Sequence, residues 1–168
     1  MYPDALWRLI EKYRAKGVLV DSNLLLLYFI GRYDRKLVSM FKRTNAYAVE
    51  EFELLARLLA LFRVLVTTPN ILTEVSNLAG QLPDRVQPSY FQTFRDQLVV
   101  LDEQYVSSAS ACRTRFFERF GLTDSVIAEA ARNGLLVLTA DLALALLLEQ
   151  LGIDLINFNH IRHLAWTE

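Results

Sequence analysis

Apolar positions along the chain alternate between two patterns. Short unbroken runs occur at residues 18–20, 64–67, 98–101 and 135–139, with a last candidate at 153–158. Such runs suit strands of a parallel sheet covered on both faces. Between them, apolar residues recur every three or four positions, as on a helix. This holds over 2–16 (Leu6, Leu9, Ile10, Tyr13) and 48–62 (Val49, Phe52, Leu55, Ala56, Leu59). Further helices are predicted over 24–30, 71–79, 88–97, 107–120, from 121 to 132, and over 142–151. Gly17, Gly31, Gly80, Gly121, Asn133-Gly134 and Gly152 punctuate them. Strands alternating with helices through short connections predict an α/β fold. Its central sheet is mainly parallel, with helices on both faces in three layers, and one domain spans residues 1–168.

Composition sharpens this without redirecting it. At 168 residues, 53% hydrophobic and 22% charged, the chain is globular and long enough to bury a sizeable core. A net charge of −1 excludes a generally basic nucleic-acid coat but leaves room for a local basic groove. The lone Cys112 permits no internal disulfide, and no zinc-ligand spacing occurs, which fits a reducing, cytoplasmic compartment. No signal peptide is evident. The two most apolar stretches are interrupted by Asp21 and Asp141, so a soluble protein with no membrane span is expected. Cys112, Phe116, Phe117 and Phe120 read as core residues, and His160 and His163 as surface residues. The run Arg32, Arg35, Lys36, Lys42, Arg43 reads as a solvated face or as a rim touching phosphates. Arg32, Arg35 and Lys36 are the candidate substrate-binding residues.

The chemistry concentrates at strand ends. Asp21 follows the first strand, and Asp141 follows the strand at 135–139; each opens a helix. Glu74 lies one turn into the helix after the second strand. Asp124 lies in the first turn of the helix that leads into strand 135–139. Right-handed crossovers align strand C-termini along one edge, so Asp21, Glu74 and Asp141 share a rim and the start of the Asp124 helix returns to it. Four carboxylates so placed repel one another and raise each other's pKa. Helix N-termini relieve part of this, and a bound divalent cation relieves more. An all-oxygen donor set without His or Cys selects Mg²⁺ or Mn²⁺ over Zn²⁺. Such a centre suits in-line displacement at a phosphodiester.

Four motifs in order carry a family resemblance: Val18-Leu-Val-Asp21-Ser-Asn23, Thr67-Thr-Pro-Asn-Ile-Leu-Thr-Glu74, Leu122-Thr-Asp124-Ser-Val-Ile-Ala128, and Leu138-Thr-Ala-Asp141. The chain resembles PIN-domain nucleases, the fold of many toxins in toxin–antitoxin pairs, over nearly its whole length. The family's acidic quartet falls on Asp21, Glu74, Asp124 and Asp141. Its polar residue two places after the first Asp falls on Asn23, and the hydroxyl ahead of the last Asp on Thr139. The resemblance implies metal-dependent RNA cleavage, homodimers, and a cognate antitoxin whose tail fills the active-site groove. Asp21, Asp124 and Asp141 would ligate a first ion. Glu74 would complete the site or help hold a second ion and position the attacking water. Asn23 and Thr139 would orient carboxylates. The N-terminal helix and the segment 42–62 make this chain larger than the compact toxins. Two other readings compete. One is a non-catalytic RNA- or protein-binding module on the same scaffold. The other is a phosphatase-like enzyme with Asp21 as nucleophile, which would want an acid at position 23, where Asn stands.

Overall fold

The computed structural model describes residues 3–166; Tyr2, at the start of the first predicted helix, lies outside them. Five parallel strands form the sheet: β1 (Val18–Val20), β2 (Leu65–Thr67), β3 (Asp102–Glu103), β4 (Leu136–Thr139) and β5 (Leu155–Asn157), in the order β3-β2-β1-β4-β5. Val18, Leu19 and Val20 of β1 face Leu136, Val137 and Leu138 of β4, while Val18 and Leu19 face Leu65 and Val66 of β2. All of β1 and β4 is buried, as their unbroken apolar sequence requires. Helices cover both faces: α1 (Pro3–Tyr13), α2 (Ser22–Tyr33), α3 (Arg35–Met40), α4 (Val49–Leu59), α5 (Pro69–Ala79), α6 (Gln87–Leu98), α7 (Ser108–Ala111), α8 (Phe117–Ala131) and α9 (Leu142–Gln150). The expected three-layer α/β architecture is observed, and its sheet is parallel throughout. None of the helices among the described residues is long and apolar enough to cross a membrane.

The strand order positions the site. The chain moves outward from β1 to β2 and β3, then returns to lay β4 on the other side of β1. The crevice beyond the C-terminal ends of β1 and β4 is therefore the topological switch point, where open α/β sheets bind ligands.

Several elements depart from the sequence expectation, each for a local reason. Residues 98–101 are not a strand. They finish α6 and turn, with Val99 and Val100 exposed, and pairing with β2 begins only at Asp102. A four-residue apolar run does not by itself separate a strand from a helix end. The resulting edge strand is two exposed acids long, which discourages pairing with other chains. The predicted helix 107–120 divides into α7 and the start of α8, and α8 kinks at Gly121. Cys112 is exposed rather than core, because α7 ends one residue before it. Phe116 is buried, whereas Phe117 and Phe120 are only half-buried. The last strand is confined to β5, with Phe158 already in a 3₁₀ turn.

Gly31 is the most consequential correction. It does not end α2 but lies inside it, where the buried ring of Phe52 from α4 packs against its Cα. A Cβ at position 31 would lie 2.2 Å from Phe52 Cδ2. The glycine is kept for close helix contact, against a helix-propensity penalty of ~1 kcal/mol. Gly31→Ala is expected to lower stability by about 1–2 kcal/mol in equilibrium urea unfolding, because ring displacement outweighs the propensity gain. Phe52→Leu in the Gly31→Ala background should recover part of the loss. A Gly31→Ala protein as stable as wild type would show that the ring yields freely.

Candidate active site

Each of the four acids arrives on a different element. Asp21 leaves β1 in extended conformation and caps α2, its Oδ1 accepting from the Leu24 N–H at 2.8 Å. Its Oδ2 accepts from the Thr139 hydroxyl and from the Ala140 N–H at 3.0 Å, both at the end of β4. Asp141 caps α9, with Oδ1 accepting from the Leu144 N–H at 2.9 Å. The Asp141 N–H donates to Thr139 Oγ at 2.9 Å. The buried Thr139 hydroxyl thus donates to one acid and accepts from the backbone of another. Glu74 projects from the second turn of α5, and its Oε2 accepts from the Ser22 hydroxyl at 2.7 Å.

Asp124 depends on the kink. Gly121 has φ 74° and ψ −169°, a region essentially restricted to glycine. The turn there starts a new helical segment, and Asp124 falls in its first turn. The four carboxylates then line one cavity of about 280 Å³, walled by Phe120, Leu122 and Leu144, with Asn23 and Thr123 also on its lining.

Their charges act on one another. Asp124 is pushed up to about 6, first by burial and then by the charges of Asp141, Glu74 and Asp21. Burial likewise raises Asp21, which is 4% exposed, despite the bonds from Thr139, Leu24 and Ala140 that favour its ionised form. Tyr47, before α4, is held up to about 12 by burial and then by the charge of Asp21. The cavity lining offers no lysine, arginine or histidine to offset the acids.

By donor chemistry this set fits a hard divalent cation: all oxygen, no sulfur or imidazole, in a field short of positive charge. The side chains do not form a ready-made shell, however. Among the described residues no group of three or more His, Cys, Asp or Glu is disposed to hold a metal ion as it stands. Two of the four, Asp21 and Asp141, are engaged as helix caps, and Glu74 is held by Ser22.

The residues expected from sequence divide clearly. Asp21, Glu74, Asp124 and Asp141 come together, and Thr139 supports Asp21 as anticipated. Asn23 stands exposed on the cavity lining and bonds none of the acids. Arg32, Arg35 and Lys36 do not reach the cavity. Arg32 is on the last turn of α2, about 15 Å along the axis from Ser22, and Arg35 pairs with Glu53 at 2.7 Å. Sequence reasoning missed the Ser22 bond to Glu74 and the Asn159 side-chain amide, which donates to the Ala140 carbonyl at 2.7 Å. Ser22 directly follows Asp21, but nothing local signals that its partner lies 52 residues on.

No protein-family model matches this sequence and no curated protein matches it; the resemblance to PIN-domain nucleases stands on the four motifs themselves.

The raised Asp124 pKa has a definite sign in stability. The folded protein holds this proton more tightly than the unfolded chain, so ionised Asp124 opposes folding above about pH 6. That penalty disappears as pH falls through 6 towards the ordinary carboxylate range near 4. In EDTA, Asp124→Asn should therefore melt above wild type at pH 7.5, and the gap should shrink by about two-thirds by pH 4.5. Parallel melting curves for the two proteins across that range would contradict the assigned repulsion.

Proposed function

We propose that the protein is a Mg²⁺- or Mn²⁺-dependent endoribonuclease of PIN-like type. The observation that carries this reading is the convergence of Asp21, Glu74, Asp124 and Asp141 on one cavity at the switch point of a parallel sheet. Asp21, Asp124 and Asp141 would hold the first ion, with Glu74 completing the site or sharing a second. When bound, such an ion supplies a nucleophilic water at neutral pH and offsets charge on the phosphoryl oxygens. The chain's own residues prepare for it. Thr139 and the Ala140 N–H fix the Asp21 carboxylate, and Ser22 fixes Glu74. Asp124 must lose its proton before it can act as a ligand, so cation affinity should weaken below about pH 6. The toxin role, with its cognate antitoxin and homodimer, rests on the resemblance.

A non-catalytic RNA- or protein-binding module on the same scaffold is favoured by one observation, that among the described residues no group of three or more acids or imidazoles is already disposed as a coordination shell.

One set of measurements separates the two. Single-stranded and structured RNA incubated with wild type should be cut in Mn²⁺ or Mg²⁺ and left intact in EDTA. Asp21→Asn and Asp124→Asn should each lose at least about 100-fold in rate. Independently of turnover, Mn²⁺ at 100-fold excess over its Kd should stabilise wild type by about 2.7 kcal/mol, or roughly 5–10 °C in melting temperature. Asp124→Asn should abolish that shift. Cleavage that persists in EDTA or in both variants overturns the mechanism. RNA binding without cleavage or a metal-dependent shift favours the binding module.

A further inference from the structure

Adjoining the acidic cavity is a second groove of about 420 Å³, and the two share Glu74, Leu122 and Thr123. Its floor is one face of α5. Asn70, Thr73 and Asn77 recur at helical spacing along it, with Leu78 beside them and Gln81 just beyond the helix end. None of the Asn70, Thr73 and Asn77 side chains makes a hydrogen bond within the described chain, so their donors and acceptors face the groove or solvent. Gln81 is different: its Oε1 accepts from Arg43 Nε at 2.9 Å, which leaves its amide nitrogen as a donor. Arg43 thus sits beside the end of the groove remote from Glu74, joined to it through Gln81 rather than lining it. Of the basic run at 32–43, it is this arginine that bonds a residue of the groove.

The chemistry of the groove is distinctive. Apart from Glu74 at the shared boundary, its lining carries no charge, which is unsuited to gripping phosphates. It combines carboxamides, able both to donate and to accept, with the apolar surfaces of Pro69, Leu78 and Leu122. Leu122 is 36% exposed at the junction of the two cavities. Polar edges beside apolar walls suit an unstacked base, which presents a flat face and a hydrogen-bonding edge. A phosphate would be repelled from the Glu74 end and attracted at the Arg43 end.

We propose that the α5 groove is a nucleobase subsite for single-stranded RNA, in which Asn70 and Asn77 read the edge of a base neighbouring the acidic cavity and Arg43 contacts the strand's backbone. This inference rests on the nuclease reading for the identity of the ligand, but its test does not depend on turnover.

The test uses Asp124→Asn as common background, with fluorescein-labelled eight-nucleotide single strands in Mg²⁺, followed by anisotropy and checked for intactness on a gel. Two strand sets are compared, one with all bases and one with an abasic residue stepped through each position. At one position, loss of the base should weaken binding. Asn70→Ala and Asn77→Ala should each weaken binding of the full strand about 5-fold, the worth of one hydrogen bond. Neither should weaken the strand that is abasic at that position. Arg43→Ala should weaken both strands alike and reduce the salt dependence. Amide variants that bind the full strand like their parent, or that weaken full and abasic strands equally, overturn the subsite. So does failure to bind any strand. Base-dependent binding by a protein whose wild type cuts no RNA would leave the subsite standing and remove the nuclease.

Discussion

A single buried carboxylate organises the site. Asp21 sits between two strands adjacent in space, and its two oxygens take three donors from both sides of the crevice: Leu24 at the start of α2, and Thr139 and Ala140 at the end of β4. A buried charge without such partners is heavily penalised, so the β1–β4 junction must close correctly for Asp21 to be tolerated. The same junction sets where α2 and α9 begin, because Asp21 and Asp141 are their caps. Glu74 is then tied in through Ser22, the residue next to Asp21. Three of the four acids are therefore located by one contact across the sheet. The fourth, Asp124, is located separately by a glycine-only backbone turn at Gly121.

Much of the fold was legible because buried parallel strands leave an unmistakable mark. β1, β2 and β4 are apolar runs ending at turn or capping residues, and the structure has them where the pattern predicts. Legibility failed where two elements share a composition. Leu98 to Leu101 are as apolar as β1, yet they end a helix, since strand character here depends on reaching the edge of β2. Gly31 was misread for a related reason. A glycine at the end of an apolar stretch signals a helix stop, whereas here it makes room for Phe52, a residue on another helix. Local pattern carries no information about such a neighbour.

The site shows the same division. The four acids could be read because each stands at a strand end or first helical turn, positions that topology alone sends to one rim. Their supports were less accessible. Thr139 could be anticipated from its place before Asp141, but the hydroxyl of Ser22 and the amide of Asn159 act on partners distant in sequence. The basic run misled in detail. Its charges lie within twelve residues of sequence, but α2 and α3 carry Arg32, Arg35 and Lys36 away from the cavity, and only the chain beyond α3 brings Arg43 to Gln81, just past the end of α5.

The separation of Asp21 from its partners has a further consequence for how the protein is made. Thr139 is 118 residues downstream of the carboxylate it supports. Synthesis proceeds from the N-terminus, and contacts this distant in sequence close late in folding. Asp21 and α2 emerge long before the donors that anchor the carboxylate on the β4 side exist, and Asp141 follows only after them. A ribosome-bound chain that has not yet yielded β4 holds neither a closed crevice nor a full set of acids. Whatever the cluster does, its four acids can converge only once β4 and Asp141 have been made.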